Sequence, residues 1–453
     1  GLMRRSASAD VVGSRLKWLG IGKDVKLHDG NLTDISSLTT AELVALKSTQ
    51  MAGLQTDQLR AITTVQIKAI ETVDLYNLNP LLQVMGAGLA LALLPLGWWV
   101  WRHRQASAGR RLRALTILTL FLTFDLILFG AFTRLTDSGL GCPDWPGCYG
   151  SATPLGAHHE ITQAQTAMPT GPVTHSKAWI EMVHRYMAMG VGVLIITLCL
   201  LTWRQWRRDR SLAVHPGWPL LTLFWVCLQG AFGALTVTMK LFPAIVTLHL
   251  LLAIGLLTLL VVQAVRYEGW KTVAVPPGLR GALAVALALL WLQIALGGWV
   301  STNYAVLACS DFPTCQGQWW PPMGAQGFAL WRELGHAANG QPLPFEALTA
   351  IHYAHRSAAY AVLALLGWTG WRLRATSGLA SQGQWLLALL ALQLITGLSN
   401  VVLGWPLLGA VLHTGGASAL TVVLVWSLAL SRSSFVPIQA SGMDLKKSSR
   451  PVA

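Results

Sequence analysis

The stretch GAFTRLTDSGLGCPDWPGC, Gly130 to Cys148, lies over GGWVSTNYAVLACSDFPTC, Gly297 to Cys315, at a single offset. Both cysteines coincide, as do an aspartate (Asp144, Asp311) and a proline (Pro146, Pro313). Working outward, EMVHR (Glu181 to Arg185) falls over HYAHR (His352 to Arg356), Leu228 and Gln229 over Leu392 and Gln393, and His249 over His413. Small drifts between these blocks are what unequal loops produce. The pattern is an internal duplication, with four helices in each half.

Composition says what kind of helices these are. Only 11% of the 453 residues are charged, against about a quarter in soluble domains; 53% are hydrophobic, and the mean hydropathy is +0.50. The apolar residues gather into runs of about 20, the length that crosses a hydrocarbon core of roughly 30 Å. Nine spans are expected, at 82–102, 112–134, 178–203, 217–239, 243–265, 279–301, 350–373, 384–405 and 408–431. A net charge of +14 would suggest nucleic acid in a soluble chain, but here the arginines cluster in short loops, Arg102 to Arg113, Arg204 to Arg210, Arg266 to Arg280 and Arg372 to Arg374. Such loops mark the cytoplasmic side. The longer loops 135–177 and 304–349 then face outward, where an oxidising compartment lets Cys142 pair with Cys148 and Cys309 with Cys315. Many of the 21 tryptophans flank span ends, as an interfacial belt requires.

The expected fold is therefore an all-α integral membrane protein: an eight-helix bundle of two pseudo-symmetric four-helix halves, 109–268 and 269–432, plus one extra N-terminal transmembrane helix within 79–108. A tail at 433–453 is expected on the cytoplasmic side. Residues 1–78 stand apart, with nine basic and eight acidic residues and an octad repeat from Thr39 to Leu78, TTAELVAL, KSTQMAGL, QTDQLRAI, TTVQIKAI, ETVDLYNL. The octads read as short helical turns, as a small solenoid or as disorder. The segment begins without a signal peptide, reads as a fusion or a misplaced start, and is assigned no chemistry.

Four histidines carry the chemistry: His184, His249, His355 and His413, each a few residues inside the outer end of its span. An ionisable side chain within a span is costly and points to function. One alone is as readily an interhelical hydrogen bond; two depth-matched pairs, repeated by duplication, are better read as bis-imidazole sites for heme iron. Zinc or copper fits less well, because no carboxylate or thiolate accompanies each pair. Arg185 and Arg356 directly follow two of the histidines, and Arg134 ends its span; each is placed either to meet heme propionates or to snorkel. Asp125 in mid-span reads either as a proton relay or, the favoured reading, as a structural acid bonded to a neighbouring helix, and Cys199 and Cys227 read as packing residues. His158, His159, His175 and His336 fall in the outer loops with no spacing signal.

Over about 112–431 these blocks, five of them in the right order, resemble the heme A synthase family. The resemblance implies a membrane oxidoreductase that oxidises a methyl group of heme O to the formyl group of heme A for terminal oxidases. It further implies that His355 and His413 hold a resident heme b, that His184 and His249 hold the substrate heme, and that Glu181 is the acid beside the reacting site. Glu181 also breaks the duplication, since His352 stands opposite it, and a carboxylate beside a reacting heme can move protons. Expected partners are heme O, an electron donor, the lipid bilayer and a heme O synthase, in a bacterial inner membrane with the heme sites toward the outer face. Two other readings compete. A bis-histidine diheme electron-transfer protein would share the ligands, and a disulfide-generating, quinone-linked membrane protein would share the cysteines but leave the histidines unexplained.

Overall fold

The computed structural model describes residues 79–210, 215–268 and 272–433. Among them are nine long helices: α1 (Asn79–His103), α2 (Ala108–Leu135), α4 (His175–Arg208), α5 (Gly217–Thr238), α6 (Pro243–Glu268), α7 (Pro277–Thr302), α8 (Phe345–Arg374), α9 (Ala380–Val402) and α10 (Leu407–Leu430). A shorter helix, α3 (His158–Ala167), lies in the first outer loop. Eight of the nine are long and apolar enough to cross a membrane, so the chain is a multi-pass membrane protein. The exception by composition is α8, whose outer third carries Glu346, His352, His355 and Arg356. Three of these, His352, His355 and Arg356, belong to the site described below.

Local chemistry sets the helix ends and fills their interiors. Thr174 caps α4 by accepting from the Lys177 N–H, and Arg207 and Arg208 sit at its carbonyl end, where positive charge suits the helix dipole. Along α2 the hydroxyls of Thr116, Thr119, Thr123 and Thr133 each donate to a carbonyl one turn back, which satisfies them without water.

In the first half α2 packs against α4 and α6, and α5 against α4 and α6; in the second, α7 packs against α8 and α10, and α9 against α8 and α10. The halves join through α6 against α10, with α2 on α10 and α7 on α6 as equivalent flanking contacts. A buried cluster including Ile127, Leu257, Leu283, Leu290, Leu366 and Leu424 fills the junction. The extra helix α1 leans on α4 at Gly88, where a Cβ would come within 2.3 Å of the Met189 Cβ.

The expected four-plus-four bundle with one extra helix is what the chain forms. Some details differ. Helices α4 and α8 start at His175 and Phe345, earlier than the apolar runs suggested, because their first turns are polar and project past the apolar segment. A short parallel ladder, β1 (Val273–Val275) on β2 (Ser431–Ser433), ties the link between the halves to the end of α10, and Arg280 donates to the Ser431 carbonyl. Three residues are too few to leave a period in the sequence. The octad segment and the tail after Ser433 lie outside the described residues.

Candidate functional site: two histidine pairs under two bridged loops

The outer loops are built twice to one plan. Cys142 and Cys148 are bridged with Cα atoms 4.8 Å apart, and Cys309 and Cys315 with Cα atoms 4.7 Å apart. Beyond each bridge the chain turns through two left-handed residues, Tyr149 and Gly150 in one loop and Gln316 and Gly317 in the other. Their N–H groups donate to a carboxylate at the same place: Asp144 accepts at 2.6 and 2.7 Å, Asp311 at 2.7 and 3.0 Å. The matched aspartates are therefore turn-builders. The Thr314 hydroxyl, with the N–H groups of Gly317 and Gln316, holds the Asp311 carboxyl below the usual carboxylate range. The peptide bonds Trp145–Pro146 and Phe312–Pro313 are both cis.

Beneath each loop sit the histidines. His184 on α4 neighbours His249 on α6, and His355 on α8 neighbours His413 on α10, so the four form two pairs, one in each half. All four are half-buried among the helices. Each faces a glycine of the preceding long helix. A Cβ at Gly130 would stand 3.0 Å from His184 Nε2, at Gly233 3.2 Å from His249 Cε1, at Gly297 2.9 Å from His355 Cε1 and at Gly397 3.1 Å from His413 Cε1. Any larger residue would press on the imidazole. These glycines occupy duplicated positions, and Gly130 and Gly297 open the matched stretches of the two halves; as single small residues in apolar runs they carry no sequence signal of this role.

Three glutamines hold these histidines, two at the ring and one at the backbone carbonyl alone. Gln293 Nε2 lies 3.1 Å from His355 Nδ1 and donates to the His355 carbonyl at 3.0 Å; Gln393 Nε2 donates to the His413 carbonyl at 2.9 Å; Gln229 Nε2 is 3.4 Å from His249 Nε2. Thr396 Oγ1 is 3.0 Å from His413 Nδ1. The Gln229 and Gln393 match was visible as a repeat, but only the packing of α5 on α6 and α9 on α10 shows what it serves.

Glu181 is buried with both oxygens engaged: Oε2 accepts the Cys142 N–H at 2.8 Å, and Oε1 is ion-paired with Arg185. Arg185 Nη1 also donates to the carbonyls of Asp144 at 2.9 Å, Pro146 at 3.2 Å and Gly147 at 2.5 Å. Opposite Glu181, His352 turns Nδ1 to the Ala305 carbonyl at 3.2 Å. Arg356 makes one bond, to the Asp311 carbonyl at 2.7 Å, and its Nη1 is a buried donor with no partner among the described residues. Arg134 lies at the junction of the halves, donating to the Ser301 carbonyl at 2.6 Å, pairing with Asp137 at 3.2 Å and stacking over Tyr304 at 4.2 Å.

The remaining candidates are peripheral. Asp125 is half-buried on α2 and has no hydrogen-bond or ion-pair partner among the described residues. Cys199 is buried as expected; Cys227 instead faces outward, because α5 turns that side away from the bundle. His158 and His175 stack with ring centroids 4.6 Å apart where α3 meets α4. Among the described residues no three His, Cys, Asp or Glu side chains converge, so what each half offers is a pair of imidazoles.

These features suit heme on the chemistry of the donors. Paired imidazoles lie in an apolar bundle, glycine gaps stand where a Cβ would crowd the ring, and a buried guanidinium nitrogen is left over for an anion. Fold and site together define a duplicated multi-pass membrane protein with one histidine pair in each half. The chain belongs to the COX15-CtaA family of cytochrome oxidase assembly proteins, which it matches over residues 113–425. It is 39% identical over 312 residues to a protein of Shewanella oneidensis named Heme A synthase, covering 68% of this chain and 93% of the relative. It is 29% identical over 369 residues to a Heme A synthase of a Methylobacterium species, covering 76% and 97%.

Proposed function

We propose that the chain is a heme A synthase, which oxidises a methyl group of heme O to the formyl group of heme A. The observation that carries this reading is the pair of glycine-faced histidines present once in each half, in a chain that spans 93% of a relative bearing that name. Heme O is the substrate, and the redox chemistry belongs to the hemes themselves. The protein's part is to place and orient them.

In this reading His355 and His413 hold a resident heme b, and His184 and His249 hold the substrate. The second half supplies the better anchor. The unpartnered Nη1 of Arg356 is available for a propionate, whereas Arg134 and Arg185 would each have to give up a present partner. Glu181 lies one helical turn before His184 and is assigned proton transfer at the substrate heme. One of its two present bonds must open for that. The bridged loops roof both sites on the outer side of a bacterial inner membrane, and the electron donor is a partner outside this chain.

The test is to purify the protein, extract its pigments and identify them by mass. Heme b together with heme O or heme A supports the proposal. Heme b alone supports a diheme electron carrier, the reading favoured by the full occupation of both Glu181 oxygens.

A further inference from the structure

The two halves differ in how they hold the second histidine of each pair, and the difference rests on one hydroxyl. Thr396 lies on α9, one residue before the glycine that faces His413. Its Oγ1 is 2.8 Å from the Leu392 carbonyl one turn back and 3.0 Å from His413 Nδ1. A hydroxyl has one proton. A carbonyl can only accept, so that proton goes to Leu392, and the Thr396 lone pair meets His413 Nδ1. The ring nitrogen must then be the donor. Hydrogen on Nδ1 leaves Nε2 with a bare lone pair, the form in which an imidazole binds iron. Gln393 fixes the backbone of the same residue through the His413 carbonyl. Gly416 makes room for that amide, since a Cβ there would lie 2.1 Å from Gln393 Nε2.

In the first half the duplicated position of Thr396 is Phe232, next to Gly233. His249 Nδ1 is consequently buried without a hydrogen-bond partner. The one side-chain amide at its ring, Gln229, lies instead 3.4 Å from Nε2, the nitrogen a metal would need. Nothing among the described residues sets the tautomer of His249 in the form that binds iron.

We propose that Thr396 is a positioning residue that locks His413 as a permanent axial ligand, and that Phe232 in the same place leaves His249 an exchangeable one. This rests on the proposed heme sites and deepens them, because it says which residue makes one site resident and the other able to release its occupant. Loss of the group that holds the outer nitrogen of a metal-bound histidine typically costs about 10- to 100-fold in metal affinity. A hydrogen bond from Nδ1 also makes the imidazole a stronger electron donor, which favours the ferric state.

The experiment uses the full-length protein purified with its hemes, and follows heme transfer to excess apomyoglobin together with the reduction potential and the electron paramagnetic resonance of the low-spin ferric signal. The His413→Ala variant identifies which signal belongs to the second half. Thr396→Val, of nearly the same shape but without the acceptor, should release that heme about 10- to 100-fold faster and raise its potential. Thr396→Ser should restore both. Wild-type release and potential in Thr396→Val would overturn the proposal, as would equal defects in the Val and Ser variants, which would mark a packing role. Should Thr396→Val fail to accumulate, Phe232→Thr decides alone: it should slow release of the first-half heme, and unchanged release refutes the idea. A wild-type protein without a bis-imidazole signal would instead defeat the heme reading itself, and the two failures are thus told apart.

Discussion

The two halves secure the same outer loop with bonds of opposite polarity. In the first, an acid on α4 accepts a loop N–H, Glu181 from Cys142; in the second, a ring nitrogen on α8 meets a loop carbonyl, His352 with Ala305. The accompanying arginine follows suit. Arg185 is spent on three loop carbonyls and Glu181, while Arg356 takes one carbonyl and keeps a buried donor free. A duplicated scaffold thus keeps its shape while its charge is redistributed. The first half gains a buried ion pair, and the second gains room for an anion.

Removing a ligand should break the comparison most completely. On the proposed assignment, His355→Ala or His413→Ala should abolish the heme b of the second half, whereas His184→Ala should leave it bound and lose only the second pigment, as measured by pyridine hemochrome spectra. Loss of heme b in all three would make the halves equivalent. Next in size is Glu181→Gln, compared with His352→Ala at equal heme content. Removal of a positioned proton-transfer group costs about 100- to 10,000-fold in rate, against about fivefold for an incidental hydrogen bond of roughly 1 kcal/mol. Near-normal heme A yield from Glu181→Gln would reduce its role to holding Cys142.

The arginines sharpen the contrast at a smaller scale. Arg356→Gln should weaken retention of heme b by about 10-fold or more, the scale of one hydrogen bond to a charged group, without opening its loop. Arg185→Gln should do the reverse, exposing the first disulfide to reductant with heme b retained. Thiol labelling of the denatured, unreduced protein should modify Cys199 and Cys227 only among the six cysteines; modification of all six would remove the bridges from the description.

The smallest effect concerns Asp311. Its carboxyl titrates below the usual range in the folded loop, so the bonds it accepts help above that range and are lost as pH falls through the folded value. Amide exchange at Gln316 and Gly317 should therefore speed up on acidification in wild type. In Asp311→Asn it should be fast throughout, and an identical pH response in the variant would discount the carboxylate.

Much of this arrangement was legible along the chain because duplication writes each feature twice. Cys142, Asp144, His249 and their partners could be laid over one another before any helix was placed. The arginines were legible as candidates only. Nothing local distinguishes a guanidinium that caps three carbonyls from one with a spare donor, since that depends on where a folded loop puts its oxygens. The β1–β2 ladder and α3 left no trace of comparable strength, the ladder because each strand is three residues long and α3 because it is short and polar.

Hydrophobic length, arginine-rich loops and the repeat determined by themselves that the chain crosses the membrane as two four-helix halves with an extra helix, and that four histidines fall at matching places. Those are properties of composition and period, and they survive any packing. Tertiary structure alone decided which glycine faces each ring, that Thr396 meets His413 while Phe232 leaves His249 Nδ1 alone, and that Glu181 is tied to both Arg185 and Cys142. These are contacts between helices distant in sequence. A hydrogen bond with a reach of about 3 Å is set by helix rotation and separation, which no one-dimensional pattern records.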